Sequence, residues 1–151
     1  MSLLSDTPTP RIYLDANVLF SAAFSSTGGA RVLFHLAESQ SIQILVSLSV
    51  LSEAEAALRR KAPAALGRLA LLLDLGRCQV VDDAQGPDIE TWSEYIPYLP
   101  AAAVIAAAVV SQADYLVTLD HRPSVSDGTD NKRLVQALPL PIGTPGDCLA
   151  W

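Results

Sequence analysis

Only two cysteines, Cys78 and Cys148, occur in the 151 residues, and they lie far apart in the chain. That excludes a disulfide framework and a cysteine-built zinc site, and it fits a reducing cytoplasm. No apolar run reaches the roughly 20 residues a membrane-crossing helix needs. The longest, Leu99–Val110, is Ala-rich and reads as a buried helix, so no membrane partner is expected. The first ten residues, MSLLSDTPTP, have neither a basic segment nor an apolar core of signal-peptide length. Residues 1–10 are expected to form a flexible leader before a single domain over 11–151. Internal repeats and long linkers are missing, and Gly and Pro are not in excess. Excess positive charge is missing too: 10 basic residues face 16 acidic ones, a net charge of -6. A broadly basic nucleic-acid-binding face is thereby excluded. Any RNA contact must come from local patches, and the acids must serve a metal site or a basic partner.

What remains is a globular composition, half hydrophobic and 17% charged, in which short β-rich runs alternate with longer helical ones. Strands are predicted at Arg11–Leu14, Ile42–Val46, Cys78–Val81 and Asp114–Thr118, with a short edge strand within Leu138–Ile142. Helices are predicted around Val18–Phe24, over Ala30–Ser39, from the caps Ser47 and Ser49 to Lys61, and from Pro63 to Leu75. Two more are predicted, from Gly86-Pro87 through Glu94 and over Ala101–Gln112, with Pro97 and Pro100 as punctuation. This alternation implies right-handed crossovers, a mainly parallel sheet and an α/β fold of three layers, helix–sheet–helix. Ligands of such sheets gather outside the carboxyl ends of the strands.

Three acids attract attention on that basis. Asp15 directly follows the first strand, with Asn17 two residues on to orient it. Glu53 lies on one rim of the helical stripe Val50, Ala54, Ala57, Leu58 and Lys61, and Glu55 on the opposite rim. Asp120 lies two residues past the fourth strand, beyond Thr118. Each has an ordinary role as well. Asp15 can cap the next helix, Glu53 can complement a helix dipole in the first turn, and Asp120 can serve a turn. Asp114 is no substitute for Asp120, because about 20 Å of extended chain puts it at the other sheet edge.

Taken together and in this order, the acids and their settings resemble the PIN-domain nucleases, particularly the VapC-like toxin components of bacterial toxin–antitoxin pairs. The segments that carry the resemblance are IYLDANVLFSAAFSSTGGARVLF, LVSLSVLSEAEAALRRK, AAAVIAAAVVSQADYLVTLD and the ending IGTPGDCLAW. The resemblance implies a PIN-like fold and a Mg²⁺ or Mn²⁺ ion held by Asp15, Glu53 and Asp120. It implies hydrolysis of RNA phosphodiester bonds, an antitoxin protein as partner, and a homodimer. Hard oxygen ligands suit such ions, which bind through one or two carboxylates plus waters and substrate phosphate.

The pattern breaks at one place. The family has an aspartate at the start of the helix before ADYLVT, and counting back puts Ala101 there. The site then runs on three acids, or borrows Glu90 or Glu94, or binds without cutting. Arg59, Arg60 and Lys61, with Lys132 and Arg133, are candidates for phosphate contact or plain helix-end cations. His35 and His121 read as exposed. Trp92, Tyr95 and Tyr98 form an aromatic cluster that either packs or stacks on bases. IYLDANVL also resembles a haloacid-dehalogenase phosphatase motif with Asp15 as nucleophile, but that motif wants an acid where Asn17 stands.

Overall fold

The computed structural model describes residues 8–119, 133–134 and 136–151. Its centre is β1 (Arg11–Leu14), in which Ile12, Tyr13 and Leu14 are all buried. Helices cover a central parallel strand on both faces, so its side chains run apolar without alternating. The same holds for β2 (Gln43–Ser47) and β4 (Tyr115–Val117). The edges are β3 (Gln79–Val81), with Gln79 and Val80 exposed, and the two-residue β5 (Ile142–Gly143). All pairings are parallel, in the order β3-β2-β1-β4-β5.

Helices α1 (Ala16–Phe24), α2 (Gly29–Glu38), α3 (Leu48–Lys61) and α4 (Leu66–Leu75) pack together, with α1 touching the other three. They belong to the crossovers that step from β1 outward to β3. Helices α5 (Gly86–Ser93) and α6 (Leu99–Val110) pack on each other and carry the chain back past β1 to β4. Right-handed connections running in opposite directions put the two sets on opposite faces. The winding therefore reverses between β1 and β4. A crevice opens outside the carboxyl ends of two strands where this happens.

The predicted elements are recovered with shifted ends. α6 starts at Leu99, two residues early, because Pro100 sits in the first turn where its missing N–H is no loss. The expected edge strand over Leu138–Ile142 is displaced: only Ile142 and Gly143 pair, with Leu116 and Val117. Gly143 is required there, since a Cβ would collide with the Tyr115 hydroxyl and lie 2.7 Å from Asp147 Cβ. The chain closes on α7 (Pro145–Leu149), whose capping box joins Thr144 and Asp147. Among the described residues no helix is long and apolar enough to cross a membrane.

Three helices end in the same way. After α2, α4 and α6, residues Gln40, Arg77 and Gln112 adopt φ of 65°, 50° and 60°. Each closes a Schellman turn: Ser41, Cys78 and Ala113 donate N–H to Leu36, Leu73 and Ala108 carbonyls at 2.8, 3.1 and 3.0 Å. Glycine is the usual occupant of that left-handed position, and none of the three is glycine.

Candidate active site

Leu14 pairs with Val117, so the next residues along, Asp15 and Thr118, leave the sheet side by side at the winding reversal. Asp15 N–H donates to the Val117 carbonyl at 3.1 Å and continues the ladder by one rung. The half-buried Asp15 side chain is held on both oxygens. Oδ1 accepts the Ala16 N–H at 2.7 Å as the N-cap of α1, and Oδ2 accepts the Thr118 hydroxyl at 3.1 Å. The cap therefore uses one oxygen of the carboxylate and the threonine the other.

Glu53 comes to the same place from α3. Ser47 caps that helix, its Oγ accepting Val50 N–H at 3.2 Å, which makes Glu53 the sixth residue. The first turn holds no acid, so first-turn dipole complementation is overturned as an account of Glu53. Glu53 instead shares a cleft of ≈ 280 Å³ with Asp15, Asn17, Thr118, Tyr98 and Ala101. Desolvation of its carboxyl and, second, the Asp15 charge hold Glu53 above the usual carboxylate range. A carboxyl held up by burial and by a neighbouring carboxylate is what a cation would relieve. Glu55 lies on the other rim and pairs with Arg59 at 3.6 Å.

The third expected acid, Asp120, lies outside the described residues, as do His121 and Lys132. Among the described residues no group of three His, Cys, Asp or Glu is placed to hold a metal. The two carboxylates fit Mg²⁺ or Mn²⁺ as a partial ligand set, since such ions retain waters and take few protein ligands. Ala101 lines the cleft and presents a methyl group. Glu90 and Glu94 are exposed and line neither this cleft nor the cavity beside it. Arg59, Arg60 and Lys61 end α3 six to eight residues beyond Glu53, about 9–12 Å along the helix axis, and none of the three lines either this cleft or the cavity beside it. Lys61 lies over the Phe20 ring at 5.8 Å. His35 is exposed in the last turn of α2.

A second cavity of ≈ 340 Å³ adjoins the cleft across Asp15 and Glu53. Its polar side is a chain of hydroxyls that sequence reasoning missed. The fully buried Tyr13 donates to Ser47 Oγ at 3.0 Å, Ser47 and Ser49 hydroxyls lie 3.3 Å apart, and Ser49 donates to Asp83 Oδ1 at 2.6 Å. Burial chiefly, and then the Asp15 and Asp83 charges, push the Tyr13 hydroxyl up to about 12, so it stays a neutral donor. The Ser49 hydroxyl, aided by its N–H, holds Asp83 below the ordinary value. A signal was present: Asp83 follows a strand at the carboxyl edge, the rule that singled out Asp15. Among the described residues no Lys or Arg lines either cavity.

Comparison with known proteins agrees with this fold. A PIN domain family model matches residues 11–122. Curated proteins give no match. Among solved structures, VapBC2 from Rickettsia felis, bound to a DNA fragment from its promoter, is 17% identical with a TM-score of 0.59. That match covers 87% of this chain and 96% of the other. VapC20 from Mycobacterium tuberculosis, described as a sarcin-ricin loop cleaving toxin, is 16% identical with a TM-score of 0.54. It covers 77% of this chain and 95% of its own. Identities this low speak for the fold alone.

Proposed function

The chain belongs to the PIN-domain family, and from that membership we propose that it is a metal-dependent endoribonuclease of the toxin type, restrained by an antitoxin protein. One observation carries this reading. Asp15 at the end of β1 and Glu53 on α3 share one cleft at the winding reversal, and no cationic side chain among the described residues lines it. The proposed ligand set is Asp15, Glu53 and Asp120, with Asn17 and Thr118 supporting it. The family context carries the RNA substrate, the antitoxin and a homodimer into the proposal, and sets aside the aspartyl-phosphate alternative.

A bound Mg²⁺ or Mn²⁺ would stabilise charge on phosphoryl oxygens and lower the pKa of a bound water. The remaining work falls to the chain. Thr118 and the Ala16 N–H fix the Asp15 carboxylate in one orientation, which removes reorganisation from the reaction. Tyr13 and Ser47 hold the first turn of α3 and so set where Glu53 stands. Asn17, exposed at the cleft, offers an amide to the substrate. The test is Mn²⁺-dependent RNA cleavage, which Asp15→Asn should reduce at least 100-fold, about 2.7 kcal/mol of barrier. Asn keeps the helix cap, so an unfolded variant is not expected. Cleavage unchanged in Asp15→Asn would remove this site from consideration.

A second reading, a PIN-fold module that binds RNA or protein without cutting, is favoured by one feature. Ala101 faces the cleft with no oxygen to offer. It predicts no metal binding by calorimetry in the natural chain.

A further inference from the structure

The aromatic cluster before α6 divides into two kinds of residue. Trp92 is buried and Tyr95 half-buried, their rings 5.7 Å apart, with the Arg133 guanidinium 5.3 Å from the Tyr95 centroid. These two serve packing. Tyr98 is different: it is 50% exposed and it lines the same cleft as Asp15 and Glu53. We propose that Tyr98 is a stacking platform for one nucleobase of single-stranded RNA, held beside the carboxylates that would face the scissile phosphate. This rests on the nuclease reading for the identity of the ligand, but not for the contact itself.

The position suits a platform. Tyr98 is the N-cap of α6, and its carbonyl accepts N–H bonds from both Ala101 and Ala102 at 3.1 Å, so its backbone is fixed to the helix. Below it the wall is Pro100, Ala101 and Val104, uncharged throughout. The methyl at 101 leaves that wall apolar where a carboxylate would have kept it hydrated, so the flat face of a base can cover it without desolvating a charge. At ≈ 280 Å³ the cleft lies at the small end of ligand sites, roughly 300–1,000 Å³, which suits one nucleotide and not a duplex.

Energetics point the same way. RNA binding generally draws on Lys and Arg against phosphate, yet among the described residues neither lines this cleft, and the net charge is -6. Among the described lining residues Tyr98 supplies an aromatic face, and stacking on it is tolerant of sequence because every base has a π-face.

The experiment uses the full chain and a fluorescein-labelled, all-2′-O-methyl eight-nucleotide RNA, which cannot be cut by the usual ribonuclease contaminants, with anisotropy read in Mn²⁺. Tyr98→Ala should weaken binding about 5- to 100-fold, and Tyr98→Phe by less than about threefold. Manganese affinity by calorimetry should be the same in all three proteins, which separates loss of stacking from damage to the acids. Equal RNA affinity in Tyr98→Ala and the natural chain overturns the proposal, as does an absence of binding by the natural chain. Equal loss in both variants overturns it too, since the hydroxyl and not the ring would then be responsible. If cleavage is lost in Asp15→Asn while Tyr98→Ala binds normally, stacking fails and the nuclease reading stands. If no metal binds and Tyr98→Ala still loses RNA, the nuclease reading fails and the platform stands.

Discussion

At the amino edge of the sheet, Asp114 accepts the Arg11 N–H at 2.8 Å, and the Arg11 guanidinium donates to the Ser111 carbonyl at 2.9 Å and to Gln79 at 3.4 Å. Gln43 donates to the Arg77 carbonyl at 2.9 Å beside them. At the carboxyl edge, Asp15, Glu53 and Asp83 stand around two adjoining cavities that no Lys or Arg among the described residues lines. The amino edge is therefore closed by the chain's own donors and acceptors, while at the carboxyl edge, among the described residues, the acids face no cationic side chain in either cavity. Asp114 serves the sheet through a backbone partner, whereas Glu53, held above the usual carboxylate range by burial and by Asp15, is the kind of perturbed acid that gathers at ligand sites. The three left-handed helix ends also lie at the amino edge, where backbone tightness matters and chemistry does not.

That contrast breaks most visibly at Glu53. Glu53→Gln should cut Mn²⁺ affinity and RNA cleavage about 100-fold, yet raise the melting temperature of the metal-free protein by about 1–2 °C. The sign follows from linkage. A carboxyl whose folded pKa is raised binds its proton better folded than unfolded, so its ionisation opposes folding. The opposition is absent below the ordinary value of 4.5 and fully present once pH passes the raised folded value. The gap between variant and natural protein should therefore open with rising pH in thermal melts. A variant less stable than the natural chain at neutral pH would show that Glu53 is not repelled.

Ala101→Asp sharpens the same edge from the opposite side. It adds an oxygen to the cleft wall at the first turn of α6, where the helix dipole accepts a negative charge. Manganese should bind roughly tenfold tighter by calorimetry. An unchanged affinity would mean that position 101 does not face the ion.

At the amino edge the expected effects are smaller and confined to stability. Asp114→Ala leaves the Arg11 N–H without its acceptor and should cost about 1 kcal/mol, or a melting temperature about 2–4 °C lower. Metal affinity should not move, and a shift in it would refute the separation of the two edges. Gln112→Gly should give the smallest effect and the opposite sign. Relief of the left-handed strain, about 1–2 kcal/mol, is offset by glycine's extra unfolded-state freedom, about 0.5–1 kcal/mol. A net gain of about 0.5 kcal/mol is expected in denaturant titration, with cleavage unaltered.

Much of this was legible in the chain itself. The apolar runs RIYL, QILVS and YLV are strands because buried parallel strands need no polar alternation. Asp15 and Glu53 were legible as candidates from where strands end and how a helical stripe is rimmed. The hydroxyl chain was not. Tyr13 looks like a strand aromatic, and its partner Ser47 is 34 positions away on a neighbouring strand. Tyr98 could not be told from Trp92 and Tyr95 by composition, since only the packing of α5 on α6 buries two of the three.

Local chemistry alone determined the alternation of strands and helices, the caps at Asp15 and Ser47, and the excess of acid. These depend on residues close in sequence, where sterics and hydrophobic period act directly. Only the tertiary structure decided which acids met. The order β3-β2-β1-β4-β5 brings Thr118 onto Asp15 across 103 positions and seats Glu53, Ala101 and Tyr98 around one cleft. Crossover handedness and the competition for places beside β1 set that arrangement, and neither is written in any short stretch of chain.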